Sequence, residues 1–542
     1  MPRVLISDDL EAAGIDHLRQ HGIEVDYRPE LGKPENKAAL IEAIQAADGL
    51  IVRSATKVTA DKLENPGKLR AIVRAGVGVD TIDLAAATRK GIVVMNTPGG
   101  NTVSTAEQTF ALLIACARHT PAADANVKSG KWDKKKFVGS QLAGKTLGVI
   151  GLGRIGREVA KRAIGFDMHV IGYDPILAPE RAAQFGVESV PDVASLLPRC
   201  DFLTVHVPGG AETTSLIGAA ELAKMKKGAR VINCARGGII NEQALADALK
   251  SGHLAGAAVD VFVAEPPGAD HPLLQLPNVV TTPHLGASTV EAQLSVAIEA
   301  GQLLIDYLTK GVVQSAVNMA SVDRAELQEL RAYIDLARRL GLLHAQMCHG
   351  SIRKVELSFR GEVFGRGTKL LTAAFAAGLL ESRLPEANIV NARMLAEERG
   401  IEIVESVTSK KGDFATLIKA DVATEKKSYT AAGTLFGNQF LRLVQLGPYN
   451  LDTYLDGILL IFTHEDVPGM IGFIGTIFGK HRVNIAQMTV GRTQAGGEAI
   501  GVLNLDNLPS EDALKQVRQN DKISSVCLVK LPPAGQMPAW FG

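Results

Sequence analysis

The chain has 542 residues, of which 46% are hydrophobic and 21% charged, as in ordinary globular proteins. One hydrophobic core does not grow to this size, so roughly three or four domains are expected. The 58 Lys and Arg residues balance the 58 Asp and Glu residues. A neutral chain has no general electrostatic attraction for nucleic acid or an anionic membrane, so neither is an expected partner.

The cysteines and the N-terminus indicate the compartment. Five cysteines are scattered along the chain without a Cys-x-x-Cys pair, which indicates reduced thiols and no zinc or other metal site. Residues 1–6 open directly as a strand and lack the apolar stretch of a signal peptide. No uncharged apolar run reaches about 18 residues, the length that spans a membrane. The expected location is therefore the cytoplasm.

The first hundred residues alternate short apolar strands with helical patterns. The predicted strands are 4–6, 50–52, 71–74 and 91–95, and residues 9–21 are predicted to be a helix. Continuous apolar strands separated by helices are typical of a parallel sheet that is covered on both faces. The pattern predicts a first α/β domain.

A second α/β unit follows one long predicted helix within residues 101–130, which runs from Thr102 through Ala117, with a continuation beyond Ala117 left open. Its predicted strands are 147–150, 170–173, 202–205, 230–233 and 257–261. Strands that alternate with helices over about 140 residues predict a doubly wound fold. We assign this unit to residues 101–286, and we expect a helix at 289–310 to return the chain to the first domain.

The pattern changes after the second unit. Residues 319–452 contain predicted helices at 324–345 and 387–399, isolated strands and a glycine-rich end, which indicates a separate α+β domain. Residues 453–531 follow the order βαββαβ of a ferredoxin-like unit. Residues 532–542 contain three prolines and are predicted to be a loose tail.

Gly151, Gly153 and Gly156 fit the pattern Gly-x-Gly-x-x-Gly, with a strand before them and a helix after them. In this setting the glycines permit a tight turn, close approach of a pyrophosphate and close packing of the helix on the sheet. The N-terminus of the helix attracts phosphates. Asp174 ends the next strand, where a carboxylate accepts hydrogen bonds from ribose hydroxyls and repels a 2′-phosphate. The motif therefore predicts a site for NAD rather than NADP.

Three polar residues follow later strands of the same unit, at the edge where this fold places ligands: Arg236, Glu265 and His284. A histidine suits removal of a hydroxyl proton while hydride leaves, and a neighbouring carboxylate orients the imidazole. An arginine binds a carboxylate and polarises an adjacent oxygen. Each residue alone could be structural, but together they predict oxidation of an alcohol beside a carboxylate. The Gly-x-Ser-x-Gly elbow of a competing hydrolase is absent from the sequence.

At these residues the chain resembles the D-isomer-specific 2-hydroxyacid dehydrogenase family over about residues 1–318. The motifs are 151–156 with Asp174, 205–208 with 213–217, 233–238, 260–267 and 283–287. The resemblance implies that Arg236, Glu265 and His284 are catalytic, with His284 as the acid/base. It implies that residues 1–100 and 287–318 bind the substrate and that 101–286 bind NAD. The implied cofactor contacts are Gly151, Gly153, Arg154, Ile155, Gly156, Asp174, His206, Pro208, Thr213, Cys234, Ala235, Arg236, Asp260, His284 and Gly286.

The same resemblance implies these substrate contacts: Arg53, Ser54, Gly76, Val77, Gly78 and Asn101. Glycines in such a turn can present backbone N–H groups to a carboxylate. Lys134 lies in a basic run, 131–136, and is a candidate clamp for a substrate phosphate, although a solvated loop is the alternative. Some relatives carry Arg where Lys134 stands, and Lys keeps the charge without the bidentate fork.

The C-terminal half narrows the resemblance. Residues 464–469 and 483–486 resemble an ACT domain, a small-molecule sensor, and 319–452 resemble the intervening domain of the long-form D-3-phosphoglycerate dehydrogenases. This likeness implies NAD-dependent oxidation of 3-phospho-D-glycerate to 3-phosphohydroxypyruvate, the first step of L-serine biosynthesis. It also implies L-serine as a possible effector, at His464, Asp466 and Asn484. Some serine-inhibited members carry Asn where Asp466 stands, and an ACT domain that serves only assembly is the alternative.

Two other functions stay open. A glyoxylate or hydroxypyruvate reductase on the same scaffold is the second enzyme candidate, and a non-catalytic NAD-sensing protein is the candidate of another class. The sensor-like C-terminal domains argue against the first, and the set of Arg236, Glu265 and His284 argues against the second. The resemblance also implies a dimer through the NAD domain and often a tetramer. Helix 102–117 is a candidate interface, and a place in the buried core is the equal alternative.

Overall fold

The protein is represented by a computed structural model that describes residues 1–320, 324–361, 367–410, 412–437 and 439–538. The described chain contains four β-sheets, two of them entirely parallel. The last four residues of the predicted tail, 539–542, lie outside the described residues.

Five parallel strands form the first sheet, in the order β2-β1-β3-β4-β5. The strands are β1 (Arg3–Ile6), β2 (Glu24–Tyr27), β3 (Gly49–Val52), β4 (Ala71–Arg74) and β5 (Val93–Asn96). The helices of this unit are α1 (Ala12–Gln20), α2 (Lys37–Ala46) and α3 (Leu84–Arg89). The central strand β3 is buried at every position, because its residues are apolar on both faces.

Seven parallel strands form the second sheet. They are β6 (Thr146–Ile150), β7 (His169–Tyr173), β8 (Glu188–Ser189), β9 (Phe202–Val205), β10 (Arg230–Asn233), β11 (Gly256–Val259) and β12 (Val279–Thr281). Their order is β12-β11-β10-β9-β6-β7-β8. The helices are α4 (Thr102–Arg118), α5 (Thr120–Lys128), α6 (Arg154–Gly165), α7 (Pro179–Ala183), α8 (Val193–Leu196), α9 (Ala219–Lys224) and α10 (Glu242–Lys250). The reversal of strand order beside β6 creates the crevice in which such sheets bind ligands.

Helix α11 (Val290–Lys310) returns the chain to the first sheet, where its apolar face joins the core around β1 and β4. Thr289 starts the helix, because its hydroxyl accepts a hydrogen bond from the Ala292 amide at 3.2 Å. Gly311 ends it with a φ of 66°, a left-handed conformation that glycine adopts without strain. The expected return of the chain to the first domain is therefore present.

The predicted helix Thr102–Ala117 is confirmed by α4, whereas the predicted helix 387–399 is wrong in its length. The continuation of the first of these helices beyond Ala117 ends at His119, which has a φ of 55°. Pro121, the second residue of α5, has no backbone N–H with which to continue α4. The predicted helix 387–399 is much shorter. The Asn388 and Asn391 side chains bond to nearby backbone groups, and this competes with helical hydrogen bonds.

The third sheet has six strands in the order β14-β13-β15-β16-β17-β18, and all its pairings except β13 with β14 are antiparallel. The strands are β13 (Ile352–Arg360), β14 (Glu402–Thr408), β15 (Leu417–Thr424), β16 (Ser428–Phe436), β17 (Phe440–Leu446) and β18 (Tyr449–Tyr454). The helices are α12 (Arg324–Met347), α13 (Thr368–Glu381) and α14 (Ala392–Glu397). Helices α12 and α13 pack against each other and contribute to one core with this sheet.

The fourth sheet has the ferredoxin-like order β20-β21-β19-β22, all antiparallel. Its elements are β19 (Ile458–Glu465), α15 (Met470–Lys480), β20 (Ile485–Arg492), β21 (Glu498–Leu505), α16 (Glu511–Arg518) and β22 (Ile523–Lys530). One face carries its own helices around Phe462 and Phe478, and the other face packs on the preceding unit through Ile461 and Val502. The predicted βαββαβ order is confirmed.

The start of the predicted loose tail is held in place. Arg339 of α12 is fully buried, and its guanidinium donates hydrogen bonds to the carbonyls of Pro532 at 2.6 Å and Pro533 at 2.9 Å. Its Nε atom lies 2.9 Å from the Asp335 carboxylate. The prediction of a loose tail is therefore wrong for these two prolines. Their carbonyls follow β22 and accept the hydrogen bonds that a buried guanidinium must make.

The predicted fold class, two doubly wound parallel sheets followed by an α+β unit and a ferredoxin-like unit, is confirmed. None of the helices in the described ranges combines the length and apolar character needed to cross a bilayer.

Candidate active site

A cleft of about 410 Å³ lies between the two parallel-sheet units. Loops after the strands of both sheets line it, because the carboxyl ends of parallel strands meet at one edge. The predicted site residues that line the cleft are Val77, Gly78, Asn101, Gly153, Arg154, Ile155, His206, Pro208, Cys234, Ala235, Arg236, His284 and Gly286. The structure thus brings most of the predicted residues together from sequence positions that are far apart.

His284 and Glu265 form a hydrogen-bonded pair in this region. The imidazole Nδ1 lies 2.8 Å from Glu265 Oε2, and the other carboxylate oxygen accepts a hydrogen bond from the Phe262 amide at 3.1 Å. Because the carboxylate accepts at Nδ1, this nitrogen carries the proton, and Nε2 is left to exchange a proton with a ligand. Both side chains are partly exposed, as a site open to substrate requires.

Asp260 organises the loop that carries His284. The Asp260 carboxylate is fully buried and accepts hydrogen bonds from the Leu285 amide at 2.8 Å and the Gly286 amide at 2.9 Å. The His284 amide donates to the Asp260 carbonyl at 2.8 Å, and His284 has a φ of 56°, which is unusual for a residue other than glycine. Asp260 does not line the cleft, so its place in the structure is that of a support for this loop.

Arg236 spans the cleft. Its Nε donates a hydrogen bond to Asp80 Oδ2 at 2.9 Å, and its Nη1 donates to the Ala235 carbonyl at 2.7 Å. The guanidinium lies against the backbone of Gly78, where a Cβ atom would fall 1.6 Å from Nη2. Only glycine permits this approach, so Gly78 lets the guanidinium and its partner Asp80 lie directly against the turn.

The sequence analysis missed Arg74, the last residue of β4, which lines the same cleft. Burial, followed by the charges of Arg236 and Arg53, lowers the pKa of the Arg74 guanidinium to about 10. The side chain of Arg74 lies under Gly76, and its Nε is buried without a hydrogen-bond partner in the described chain. The signal was available, because Arg74 ends an otherwise apolar buried strand.

The glycine loop has the geometry that a dinucleotide site requires. Gly151 has a φ of 89°, and a Cβ atom at Gly156 would fall 2.0 Å from the Gly151 carbonyl. A Cβ at Gly153 would meet no atom within 4 Å, so this side of the loop is open. Helix α6 begins directly after Gly153 and directs its N-terminus at that space. The residues present therefore fit a bound pyrophosphate.

Asp174 lies beside this loop and is held by backbone amides. Its carboxylate accepts hydrogen bonds from Leu152 at 2.9 Å, Ile176 at 3.0 Å and Leu177 at 3.1 Å. A carboxylate has about four lone-pair positions, so one remains for a hydroxyl group. The three amides hold the carboxylate of Asp174 in place. Its negative charge would repel the 2′-phosphate of NADP.

Two polar atoms in the cleft lack partners. Burial lowers the pKa of His206 to about 4, and its buried Nδ1 makes no hydrogen bond among the described residues, while Nε2 bonds to Thr204 at 3.0 Å. The buried Oδ1 of Asn101 likewise has no partner there. Buried polar atoms are normally hydrogen-bonded, so these two atoms indicate that a polar ligand completes the cleft.

Other predicted residues lie outside the cleft. Thr213 supports Pro208 instead, because its hydroxyl donates to the Pro208 carbonyl at 2.7 Å. Gly76 and Ser54 do not line the cleft, and Ser54 is exposed. The Arg53 guanidinium donates a hydrogen bond to the Asp9 carbonyl at 3.2 Å, and its positive charge helps to lower the pKa of Arg74.

Lys134, the candidate contact for a substrate phosphate, does not line the cleft in this chain, and its role stays a prediction. It lies on an exposed 3-10 turn, Lys134–Phe137. The physical reason is the left-handed turn at Gly130 and the Asn126–Asp133 hydrogen bond of 2.9 Å, which fold this segment onto the end of α5.

The predicted effector residues all have partners within the fourth-sheet unit. Asp466 accepts hydrogen bonds from the Gly496 amide at 3.0 Å and from Arg492 at 2.9 Å, and these two contacts lower the pKa of its carboxyl below the usual range. Asn484 donates to Asp506 at 2.6 Å, and buried His464 bonds to the Glu465 carbonyl at 2.7 Å. Their role as an effector site stays a prediction.

Comparison with known proteins supports the same architecture. Residues 110–286 match the NAD binding domain of D-isomer specific 2-hydroxyacid dehydrogenases, 329–447 match the D-3-phosphoglycerate dehydrogenase intervening domain, and 458–521 match the ACT domain. D-3-phosphoglycerate dehydrogenase of Archaeoglobus fulgidus is 43% identical over 98% of this chain and 100% of its own.

The chain belongs to the D-3-phosphoglycerate dehydrogenase family. The enzyme of that name from Bacillus subtilis is 41% identical over 98% of this chain and 100% of its own. A glyoxylate reductase of Paecilomyes thermophila, a solved structure, is 30% identical with a TM-score of 0.54 and covers 58% of this chain and 98% of its own. The predictions of an NAD-dependent 2-hydroxyacid dehydrogenase with intervening and ACT domains are confirmed.

Proposed function

We propose that this chain oxidises 3-phospho-D-glycerate to 3-phosphohydroxypyruvate with NAD, the first step of L-serine biosynthesis. The observation that carries the proposal is one cleft that is lined by His284, Arg74 and Arg236, with Glu265 hydrogen-bonded to His284. A substrate with a carboxylate, an alcohol and a phosphate needs an acid/base group and several cations. The family relatives are named for this substrate.

In the proposed mechanism, His284 removes the hydroxyl proton at C2 through Nε2. Glu265 holds Nδ1–H at 2.8 Å, which fixes the tautomer and favours the imidazolium that forms. Bound NAD supplies the acceptor for the C2 hydride. In the reverse direction the protonated imidazole returns its proton to the C2 oxygen.

Arg236 is proposed to bind the substrate carboxylate and to polarise the C2 oxygen. Its Nη2 faces the turn at Gly78, and Nε and one Nη1 hydrogen are already engaged, so one edge of the guanidinium is free for a ligand. A charge-assisted bidentate pair fixes the carboxylate in orientation as well as in position. The C2 carbon is thereby brought beside His284.

Arg74 and Arg53 are proposed to attract the substrate phosphate. Arg74 has a buried Nε without a partner, and Arg53 lies close enough to lower the pKa of Arg74. Two neighbouring cations that repel each other gain most from a dianionic ligand. Glyoxylate has no phosphate, so in a glyoxylate reductase the positive charge of Arg74 and Arg53 would have no ligand group to balance it.

The NAD contacts are proposed at the glycine loop, at Asp174 and at the cleft residues His206, Ala235 and Gly286. The domain limits are proposed to follow the sheets. Residues 1–100 with 287–318 bind the substrate, 101–286 bind NAD, 319–452 form the intervening domain and 453–531 the ACT domain, with 532–542 as a tail.

Assembly and location complete the proposal. We expect a homo-oligomer, a dimer through the NAD domain and a tetramer overall, with α4 as a candidate interface. Val127 and Trp132, near the end of α5, are exposed apolar side chains, and their exposure supports a subunit contact in this region. Five free cysteines support a reducing compartment, the cytoplasm.

L-serine is proposed as a feedback effector that acts through the ACT domain. A domain that matches the ACT family supports a small-molecule sensor. Titration of L-serine against the initial rate tests this regulation. An unchanged rate up to millimolar serine would remove it without affecting the proposed reaction.

The reaction itself is tested by comparing 3-phosphohydroxypyruvate, hydroxypyruvate and glyoxylate as substrates for NADH oxidation. Charge-assisted contacts contribute about 1.5–3 kcal/mol each, so the phosphorylated substrate is expected to have a kcat/KM at least about tenfold higher. Equal or better turnover of glyoxylate would instead support a glyoxylate reductase.

A further inference from the structure

We infer that Asp80 is a positioning residue that aims Arg236 at the substrate when the cleft closes. The inference rests on the proposed function, because it concerns the same reaction. Asp80 belongs to the turn after β4 in the first sheet unit, and Arg236 belongs to the loop after β10 in the second. Their hydrogen bond of 2.9 Å therefore crosses the cleft.

The bond uses a particular edge of the guanidinium. Asp80 accepts from Nε, and the Ala235 carbonyl accepts from Nη1 at 2.7 Å. A planar guanidinium held at two of its nitrogens cannot rotate about its long axis. Nη2 then faces the backbone of Gly78, where a substrate carboxylate is expected. Asp80 Oδ2 lies at the same turn, 2.7 Å from the position of a Cβ at Gly78, so Asp80 fixes where the guanidinium sits at this turn.

The charge of Asp80 has a second consequence. Arg236 lowers the pKa of Arg74 by charge repulsion, while Asp80 acts on Arg74 in the opposite direction. Asp80 is the sole carboxylate among the described side chains that line the cleft, beside Arg74, Arg154 and Arg236. It therefore lets two arginines stay close together before a substrate anion arrives.

Stability does not explain the pair. The Asp80 side chain is 63% exposed, and exposed ion pairs contribute little to folding. The value of the contact lies in orientation, because small errors in the placement of a reacting group cost large factors in rate. Because the bond joins the two parallel-sheet units, it exists only while the units hold Asp80 and Arg236 within hydrogen-bond distance. Arg236 is then correctly aimed only in the closed state.

Steady-state reduction of 3-phosphohydroxypyruvate by NADH tests this inference in the full-length enzyme. For Asp80→Ala we expect kcat to fall between about tenfold and a hundredfold, with the KM for NADH unchanged. Asp80→Asn, whose amide oxygen still accepts from Nε, is expected to stay within about threefold of wild type. Asp83→Asn is the matched control, because Asp83 lies in the same turn and only caps α3.

A double substitution separates positioning from a general charge effect. Lysine has no Nε–H to be held, so adding Asp80→Ala to Arg236→Lys is expected to change kcat by less than about twofold. An Asp80→Ala enzyme with unchanged kcat would overturn the inference. A lower KM for the substrate with unchanged kcat would also overturn it, because Asp80 would then only repel the anion. If wild type does not turn over 3-phosphohydroxypyruvate, the proposed function fails first.

Discussion

His284 Nδ1 and Glu265 Oε2 lie 2.8 Å apart, although 19 residues separate them in the sequence. Replacing either residue tests the acid/base assignment. His284→Ala is expected to lower kcat between about a hundredfold and ten-thousandfold, because proton transfer loses its base. Glu265→Gln is expected to lower kcat less, since the imidazole remains but is no longer favoured in its protonated form.

The chain offers a matched control for that experiment. His271 Nε2 and Glu242 Oε2 form a second pair at 2.9 Å in the same unit, and neither residue lines the cleft. Glu242→Gln is expected to leave kcat within about twofold of wild type. If Glu242→Gln and Glu265→Gln lower kcat equally, the effect of Glu265 is structural and the assignment is wrong. The change in NADH absorbance gives kcat for wild type and for the three variants.

Asp174→Asn tests the choice of cofactor. The substitution removes the fixed negative charge beside the glycine loop, so the KM for NADH is expected to rise between about tenfold and a hundredfold. Use of NADPH relative to NADH is expected to increase, because a 2′-phosphate is no longer repelled. Asp192→Asn, at the exposed N-terminus of α8, serves as the control. An unchanged NADH/NADPH ratio in Asp174→Asn would contradict the role of Asp174.

His206 makes stability depend on pH in the acid range. Burial lowers its pKa to about 4 in the folded protein, whereas an unfolded histidine titrates near 6.5. The folded state therefore binds fewer protons than the unfolded state between these values. The contribution is fully present above pH 6.5 and is lost as pH falls towards 4, by about 3 kcal/mol in total.

Unfolding in denaturant at pH 7.5 and pH 5 measures this dependence. The loss of unfolding free energy between the two pH values is expected to be smaller in His206→Gln, because glutamine does not titrate. An identical loss in wild type and variant would mean that His206 is not buried in its neutral form. His253→Gln is a suitable comparison, because His253 is a partly buried histidine of the same unit that bonds to the Leu222 carbonyl at 3.1 Å.

Arg339→Met tests the attachment of the chain end to α12. The substitution leaves the Asp335 carboxylate buried without its cation, and breaking such a pair costs about 3–5 kcal/mol. The double variant Arg339→Met with Asp335→Leu is expected to recover part of this loss, because no buried charge remains. Unfolding in denaturant measures the free energy of unfolding of wild type and of both variants. Equal stability of wild type and Arg339→Met would show that the clamp on Pro532 contributes nothing.

The sequence predicted the fold well where its pattern was local and periodic. The strands of both parallel sheets are apolar runs between helices, so their positions could be predicted without any knowledge of tertiary contacts. The break between α4 and α5 was missed because it depends on one backbone conformation, at His119. The hold on Pro532 was missed because it depends on Arg339, which lies far away in the sequence.

The site was predictable to a similar degree. Gly153, Arg236 and His284 were found because each follows a strand, and the fold places such residues at one edge. Lys134 stays a prediction, because a basic run does not fix the direction in which the chain leaves a helix, and Lys134 does not line the cleft. Asp80 and Arg74 were missed for a different reason. Their significance comes from contacts across the cleft, which only three-dimensional proximity reveals.

The most direct measurement follows the hydride itself. The enzyme is incubated with NAD and 3-phospho-D-glycerate that carries deuterium at C2, and the NADH formed is examined by mass spectrometry. We expect one deuterium on each NADH and no label from the L-isomer, with formation at least about a hundredfold slower in His284→Ala. Unlabelled NADH, or label transferred equally from both isomers, would contradict stereospecific hydride transfer from C2.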